Sequence, residues 1–272
     1  MIVIGEKINA TRKAVRNIIE DRKEGQLIDL AKQQAAAGAT YIDVNVGTGN
    51  GTQQDEIKAM QWAVTKLNIA IDKPLCIDSA DPMVLEAGLN AMGNHLAMIN
   101  SIKADAKYLD SVMPLAKQFE APVVALAMDD KGIPKTVQGR IEACHLIAQS
   151  CQKYKLPMEL IFFDPLVLPV STDSKQGKVT LDTLRAIKET FPGARTTMGL
   201  SNISFGLPGR TLINAAFLQM AVYAGLDAAI MDPLNAEMMQ AARTAFALMG
   251  KDRHFRKYSR AFRRYPKMLK AS

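Results

Sequence analysis

The stretch YIDVNVGTGNGTQQDEIKAMQWAVTKLNIAIDKPLCIDS, residues 41–79, contains the unit that decides the fold. An apolar run at 41–46 is followed by a glycine-rich loop, a helical pattern at Asp55–Leu67 and a second apolar run at 74–79. Both runs are almost continuously apolar, which is typical of strands that are covered on both faces. The stretch therefore predicts two parallel strands joined by a helix.

Apolar runs of this kind recur along the whole chain and alternate with helical patterns such as Asp105–Phe119 and Ile141–Tyr154. The predicted strands are residues 2–6, 41–46, 74–79, 96–101, 122–128, 159–164, 196–201 and 228–232. Helix-opening sequences stand at 80–82 and 180–182. Eight strands alternating with helices in 272 residues predict a single-domain α/β protein, a closed (β/α)8 TIM barrel. An open doubly wound sheet is the alternative fold.

Charge is distributed unevenly along the chain. The net charge is +7, but residues 251–272 hold nine Lys/Arg and one Asp, which leaves 25 basic and 26 acidic residues elsewhere. A neutral body argues against nucleic-acid binding, which requires a basic face. In the basic segment, Phe255, Tyr258, Phe262 and Tyr265 recur at helical spacing. We predict an amphipathic C-terminal helix that packs on the barrel, or alternatively a docking surface for an acidic partner.

The three cysteines, Cys76, Cys144 and Cys151, form neither a disulfide framework nor a CxxC metal motif, and we expect all three to be buried. The N-terminus MIVIGEKIN does not read as a signal peptide, and no apolar run reaches the roughly 18 residues that cross a bilayer. We therefore expect a cytoplasmic protein with no membrane contact.

Every predicted strand ends on hydrogen-bonding side chains, and the active sites of this fold lie at the carboxyl ends of the strands. These residues are Glu6 with Asn9, Asp43 with Asn45, Asp78, Asn100, Asp129, Asp164, Ser201 with Asn202, and Asp232. Any one of them is more often a structural cap than a ligand contact. Together they predict a barrel mouth rich in carboxylates and amides, with the roles of Asp129 and Asp232 open.

The absence of certain side chains from the strand ends limits the reactions that the mouth can catalyse. None of the three histidines, His95, His145 and His254, stands at a strand end, which argues against histidine-based zinc sites and Ser–His catalysis. Carboxylates and asparagines suit a flat heterocycle whose edge carries amino, N–H and carbonyl groups, as a reduced pterin does. A hard divalent metal held by the carboxylates is the rival reading, and the pattern alone does not separate the two.

A set of motifs then resembles a known family. They are GEKINAT (5–11), IDVNVG (42–47), LCIDSAD (75–81), AMINS (97–101), DPLVLP (164–169) and GLSNISFGLPGR (199–210). In this order, over nearly the whole chain, they resemble the pterin-binding barrels related to dihydropteroate synthase. They are most similar to the methyltetrahydrofolate:corrinoid protein methyltransferases and to the folate module of cobalamin-dependent methionine synthase.

The resemblance implies roles for individual residues. It assigns the pterin ring to Asp78, Asn100 and Asp164, and it puts Asn202 beside the folate nitrogen that carries the methyl group. The remaining polar wall would consist of Glu6, Asn9, Asp43, Asn45, Gly199 and Ser201. Because an asparagine cannot deliver a proton at neutral pH, we expect Asn202 to act by hydrogen bonding, with a proton from water or from a carboxylate such as Asp43.

The resemblance also implies a reaction and a partner. A methyl group would move between 5-methyltetrahydrofolate and the cobalt of a cobalamin by in-line displacement, in a direction that the sequence leaves open. Since no DxHxxG-type segment is present, a separate corrinoid protein would carry the cobalamin, and this chain would bind no metal. A homodimer is expected, and the Gly47–Gly51 loop and the basic segment are candidate contacts for the corrinoid protein.

Three other functions are weighed against this one. A dihydropteroate synthase-like enzyme should have a Ser/Thr-Arg-Pro-Gly loop after the second strand, where this chain has VGTGNGTQQ. A metal-dependent lyase or hydrolase would be revealed by metal analysis. A non-catalytic folate-binding protein would bind folate without turning it over.

Overall fold

The computed structural model describes residues 1–263, and its centre is one parallel sheet of eight strands. The strands are β1 (Ile2–Asn9), β2 (Tyr41–Asn45), β3 (Leu75–Asp78), β4 (Ala97–Ala104), β5 (Val123–Asp129), β6 (Ile161–Asp164), β7 (Arg195–Thr196) and β8 (Ala228–Met231). Their order is β7-β6-β5-β4-β3-β2-β1-β8. A parallel bridge between Gly199 and Ile230 and a 2.9 Å bond from Ile230 N to Met198 O join the two ends. The sheet is therefore a closed barrel, as predicted.

The helices lie between the strands and cover the barrel. They are α1 (Lys13–Glu20), α2 (Glu24–Ala37), α3 (Gln53–Ala70), α4 (Pro82–Met92), α5 (Ala106–Gln118), α6 (Val137–Lys153), α7 (Gln176–Thr190), α8 (Arg210–Tyr223), α9 (Ala236–Phe246) and α10 (Arg256–Arg263). Five of them begin after a capping side chain that accepts a backbone N–H of the first turn, at Thr52, Asp81, Asp105, Thr136 and Asn235. The predicted helix start at 80–82 is confirmed.

Three local predictions were wrong. The sixth strand was expected at 159–164, but Met158–Leu160 form a 3-10 helix and the strand begins at Ile161. The seventh strand was expected at 196–201, but it ends at Thr196, and Leu200–Ser204 form a 3-10 helix. Leu200 and Ile203 are both buried, and their spacing of three residues suits a helical turn. The sequence 180–182 does not open a helix either, because α7 begins four residues earlier and the Thr180 hydroxyl donates to the Gln176 carbonyl.

The interior of the barrel is filled by an apolar layer below the polar mouth. Ile4, Cys76, Met98, Val124, Phe162 and Ala228 are fully buried and in mutual contact there. Because side chains alternate along a strand, positions two residues further on face the same interior. Those positions are Glu6, Asp78, Asn100, Leu126, Asp164 and Ile230. The alternation therefore turns most of the strand-end polar residues toward one space above the apolar layer.

The C-terminal segment is helical where the structure describes it. The carboxylate of Asp252 accepts the backbone N–H groups of Lys257 and Tyr258 at 3.1 and 2.8 Å and orders the start of α10. Phe255, Tyr258 and Phe262 form ring contacts at 5.7 and 4.5 Å. Residues 256–263 are helical, whereas Tyr265 and the rest of 264–272 lie outside the described residues, so the amphipathic helix over the whole basic segment stays a prediction. Within residues 1–263, no helix is long and apolar enough to cross a membrane.

All three cysteines are buried as free thiols, as predicted. Cys76 lies in the barrel interior, and Cys144 and Cys151 lie on the face of α6 that packs against the core. They contribute apolar packing in this arrangement.

Candidate active site

Four predicted site residues form one hydrogen-bonded network across β2, β3 and β4. The strand register sets Asp78 opposite both Asn45 and Asn100. Asn45 Nδ2 donates to Asp78 Oδ2 at 3.0 Å, and Asn100 Nδ2 donates to Asp43 Oδ1 at 3.1 Å. The two pairs are linked because the carboxyl groups of Asp43 and Asp78 also bond to each other. The network forms one wall of the mouth.

The two carboxyl groups of this network hold a proton between them. Burial raises the pKa of Asp43 well above its ordinary value, and the charge of Asp78 raises it further. The pKa of Asp78 is raised as well, chiefly by burial, although the hydrogen bond from Asn45 opposes the shift. Two carboxylates in contact cannot both ionise readily in a buried site, so Asp43 retains the proton and Asp78 carries the charge. Asp78 can then accept N–H groups of a ligand.

Asp164 ends β6 on the neighbouring part of the rim. Its Oδ1 accepts the backbone N–H of Leu166 at 2.7 Å, and the N–H of Gly199 also bonds to this carboxyl group. Burial raises the pKa of Asp164 to about 6, while these bonds and the positive charge of Arg140 act in the opposite direction. At neutral pH Asp164 is therefore an ionised, inward-facing acceptor.

On the far side of the mouth, each carboxylate has a basic partner. Glu6 Oε1 accepts from Arg12 Nη2 at 3.0 Å and from the Ser201 hydroxyl at 3.5 Å, and Lys7 Nζ lies 3.0 Å from Asp232 Oδ2. Burial raises the pKa of Glu6 in spite of Arg12. The role of Asp232, which the sequence leaves open, is therefore to form an ion pair with Lys7. Within the described chain, no three His, Cys, Asp or Glu side chains are grouped as a metal site.

Asn202 lies on the 3-10 helix that follows β7. Its side chain is exposed and makes no hydrogen bond to any of residues 1–263. Arg210 secures the segment, because its Nη2 donates to Ser201 O at 2.7 Å and its Nε donates to the Ser204 hydroxyl at 3.0 Å. A Cβ added to Gly199 would lie 3.3 Å from Asn202 Nδ2, so the glycine leaves room for this amide. The amide is held in place and is open to a ligand.

The structure separates the two residues that were expected to share the catalytic step. Asp43 is only 2% exposed and is bonded within the β2–β4 network, whereas Asn202 lies beyond β7 near Glu6. In the barrel order, β8 and β1 lie between their strands. No hydrogen bond joins Asp43 to Asn202.

Two strand-end residues serve turns. Asn9 lies opposite Asn45 in the register, but its Oδ1 accepts both the backbone N–H and the hydroxyl of Thr11, at 3.0 and 2.6 Å. Asp129 Oδ1 accepts the N–H of Lys131 at 2.9 Å, and the alternation from Val124 directs this side chain away from the interior. Asp129 is therefore not part of the mouth, although its place at a strand end made it a candidate.

Three arginines make hydrogen bonds in the loops and helix ends around the site but do not belong to the strand-end pattern. Arg12, Arg140 and Arg210 lie on loops or on the first turns of helices, where the sequence offers no periodic signal. Residues 48–51 of the glycine-rich loop line a cavity of about 650 Å³ beside the mouth, together with Arg22 and Asp81.

This fold and this set of inward-facing carboxylates and amides define a class of protein. The chain belongs to the family of pterin-binding enzymes, whose sequence profile matches residues 5–232. It is 37% identical over 265 residues to the methylcorrinoid:tetrahydrofolate methyltransferase of Eubacterium limosum, a match that covers 97% of this chain and 96% of that protein. It is also 32% identical over 243 residues to the methionine synthase of Mycobacterium tuberculosis, covering 85% of this chain and 20% of the synthase.

Solved structures agree on the fold. The dihydropteroate synthase of Vibrio fischeri superposes with a TM-score of 0.71 at 17% identity, covering 92% of this chain and 93% of that one. The Yersinia pestis enzyme with a pterine-sulfa conjugate gives 0.68 at 17% identity, with the same coverage. At this identity the likeness shows the fold alone, and it confirms the predicted dihydropteroate synthase-like barrel.

The buried Asp164 should make the stability of the protein fall as the pH rises. Its pKa is about 6 in the folded chain against an ordinary 3.8, so between these values the folded state holds a proton that the unfolded state has lost. The free energy of unfolding then decreases by about 3 kcal/mol as the pH rises from about 4 to above 6. Asp164→Asn, which resembles the protonated carboxyl, should lack this part of the decrease.

Urea unfolding of wild type and Asp164→Asn at several pH values between 4 and 7 measures this difference. Because both proteins carry the other buried carboxyls, the effects of Asp43, Asp78 and Glu6 cancel. If the free energies of unfolding of the two proteins differ by the same amount at every pH in this range, the raised pKa does not belong to Asp164.

Proposed function

We propose that this chain is a methyltransferase that moves a methyl group between a tetrahydrofolate nitrogen and the cobalt of a corrinoid carried by a separate protein. The observation that carries the proposal is the 37% identity to a methylcorrinoid:tetrahydrofolate methyltransferase along almost the full length of both chains. By analogy with that relative, we assign the methylcorrinoid as donor and tetrahydrofolate as acceptor. The dihydropteroate synthases have less than half this identity, so their reaction is the weaker candidate.

The donors and acceptors of the mouth fit a pterin. Asp78 and Asp164 offer carboxylate oxygens for amino and N–H groups, and Asn100 can both donate and accept. The polar side chains converge above an apolar layer, which is the usual composition of a ligand site. In this proposal, Asn45 orients Asp78, and Gly199, Ser201, Glu6 and Asn9 complete the wall.

The transfer step exchanges one bond for another. Toward folate, the nitrogen lone pair forms a bond to the methyl carbon while the carbon–cobalt bond breaks. The electron pair of that bond stays with the corrinoid, and the nitrogen loses its proton. In reverse, the corrinoid supplies the electron pair, the nitrogen–carbon bond breaks and the nitrogen gains a proton. An amide N–H of Asn202 directed at this nitrogen stabilises the electron pair that the nitrogen gains as the nitrogen–carbon bond breaks, and the same transition state is crossed in the opposite direction.

The proton of this step is assigned to water or a carboxyl group, as Asn202 cannot exchange it. Asp43 takes part through the proton that it holds against Asp78. The Asp43 carboxyl group is buried and makes no hydrogen bond to Asn202, so a water molecule would have to carry its proton to the folate nitrogen.

A spectroscopic assay tests the proposal. Purified protein is mixed with tetrahydrofolate and methylcobalamin, and separately with methyltetrahydrofolate and cobalamin reduced to cobalt(I). We expect enzyme-dependent interconversion of the methylcobalamin and cobalt(I) spectra, with the reaction of the Eubacterium limosum relative favoured. Tight folate binding without transfer to or from free cobalamin or a corrinoid protein would point to a non-catalytic folate-binding protein. No folate binding would overturn the proposal.

The assembly and location belong to the same proposal. We expect a homodimer in the cytoplasm in which residues 1–272 form one barrel domain and 251–272 a basic terminal segment. The Gly47–Gly51 loop and this segment are the proposed contacts for the corrinoid protein. Light scattering should give twice the chain mass of 29.7 kDa, and a monomer would contradict the dimer.

A further inference from the structure

Strand β1 contains a bulge at the point where it reaches the mouth. Its register with β2 shifts between Gly5 and Ile8. In this interval two residues of β1, Glu6 and Lys7, lie opposite a single residue of β2. One extra residue reverses the alternation of the side chains that follow it, because successive side chains of a strand point to opposite faces.

The bulge turns both of its residues toward the mouth. Ile4 points into the barrel interior, so a regular strand would turn Lys7 outward and Ile8 inward. Ile8 instead packs in the outer core between the barrel and the helices, and Lys7 Nζ lies 3.0 Å from Asp232 Oδ2 at the mouth. The carboxylate of Glu6 and the ammonium group of Lys7 therefore reach the mouth from adjacent positions of one strand.

Gln34, on α2, contacts the bulge from the outer side of β1. Its side chain is fully buried, and its Oε1 accepts the backbone N–H of Lys7 at 3.0 Å. Because a bulge leaves its extra residue without a partner on the neighbouring strand, this bond satisfies a buried donor that the sheet does not. Gly5 makes room for the amide, since a Cβ at that position would lie 2.5 Å from Gln34 Oε1.

Packing alone does not account for a glutamine at position 34. The buried face of α2 consists of Leu27, Ala31 and Gln34, and only Gln34 is polar. Its Nε2 is buried and makes no hydrogen bond within residues 1–263, a cost that an apolar side chain of similar size would avoid. The property that glutamine adds to this face is an acceptor for the bulge.

We propose that Gln34 is a positioning residue for the folate site: its side-chain oxygen fixes the β1 bulge that brings Glu6 and Lys7 to the mouth together. The inference rests on the proposed function, since it takes the contact of Glu6 with folate from that proposal. Lys7 holds Asp232 in an ion pair on the same side of the mouth. Gln34 thus acts on the site from outside the barrel, through the backbone of β1.

The test compares tetrahydrofolate affinity in two backgrounds, measured by calorimetry under anaerobic conditions. Gln34→Met fills the same space without the acceptor, and the dissociation constant should rise about tenfold, because the hydrogen bond of the ligand to the charged Glu6 is lost. In a background of Glu6→Ala with Lys7→Ala, the same substitution should change it by less than about twofold, since the groups that it positions are absent. A full tenfold effect in that background would overturn the inference.

Two further variants separate positioning from stability. Gln34→Glu keeps an oxygen acceptor at this place and should restore most of the wild-type affinity. Leu27→Ala removes packing from the same buried face of α2, so it should lower the melting temperature without weakening folate binding. Equal affinities of Gln34→Glu and Gln34→Met, or equal losses of affinity in Leu27→Ala and Gln34→Met, would contradict the assignment.

Hydrogen exchange of the Lys7 amide, followed by NMR, tests the contact in the wild-type protein whether or not the variants fold. The bond to Gln34 should protect this amide as strongly as the neighbouring amides of β1 are protected. Exchange at the rate of an unstructured peptide would overturn the inference. Absence of folate binding by a wild type whose Lys7 amide is protected would instead contradict the proposed function, so the two failures are distinguishable.

Discussion

Replacing Asn202 with alanine should lower the rate of methyl transfer by about 10²-fold or more while tetrahydrofolate still binds. In the proposed mechanism the amide would donate to the folate nitrogen as the nitrogen–carbon bond breaks, so its contribution would be larger in the transition state than in the bound ground state. The pterin ring is assigned to Asp78, Asn100 and Asp164, and these contacts survive the substitution. The expected signature is therefore a large loss in kcat with a small change in the dissociation constant.

The structure makes this variant easy to interpret. Asn202 is exposed and has no side-chain partner in the described part of the chain, so alanine removes no internal hydrogen bond. The melting temperature should stay within about 2 °C of wild type, since exposed substitutions of this kind change stability little. Asn94→Ala, at an exposed asparagine that precedes β4 at the opposite end of the barrel, is the matched control.

Stopped-flow measurement of the corrinoid spectrum with saturating folate provides the rate. A loss of less than tenfold in Asn202→Ala would remove this residue from the transfer step. A comparable loss in Asn94→Ala would indicate a general defect and not a local one.

Asp78→Asn should weaken tetrahydrofolate binding by about 10²-fold. The carboxylate of Asp78 accepts from Asn45 and from the proton that Asp43 holds, and it has acceptor capacity left for a pterin. Asparagine has the same shape but replaces one acceptor oxygen with a donor NH2 group. That group would oppose the donors of Asn45 or the ligand, and hydrogen bonds to a charged acceptor are worth roughly 1.5–3 kcal/mol each.

Calorimetric titration with tetrahydrofolate measures this loss. Asp129→Asn is the matched control, because Asp129 also ends a strand but caps a turn and faces away from the interior. We expect its dissociation constant to stay within twofold of wild type. Unchanged affinity in Asp78→Asn, or equal losses in both variants, would contradict the assignment of the pterin to the β2–β4 wall.

Much of the barrel is predictable from the sequence, because strand alternation and helix caps depend on neighbouring residues. Asp81 followed by Pro82 begins α4 as its local chemistry requires. The end of β7 was predicted wrongly, because the turn at Leu200–Ser204 depends on packing Leu200 and Ile203 against α8 and its neighbours. That contact joins separate elements, and it overrides the local preference for a strand.

The sequence by itself determined the end of the barrel at which the site lies, since parallel strands in a closed barrel present their carboxyl ends on one face. The same rule also selected Asp129, which the structure turns away from the interior. Asp43, Asp78, Asn100 and Asp164 follow from that rule alone. Only the tertiary structure decided what each carboxyl group does: Asp43 holds a proton against Asp78, and burial raises the pKa of Asp164 to about 6 while the backbone N–H groups of Leu166 and Gly199 oppose the shift. Protonation depends on burial and on distances between charges that are far apart in the chain, and no spacing along the sequence encodes those distances.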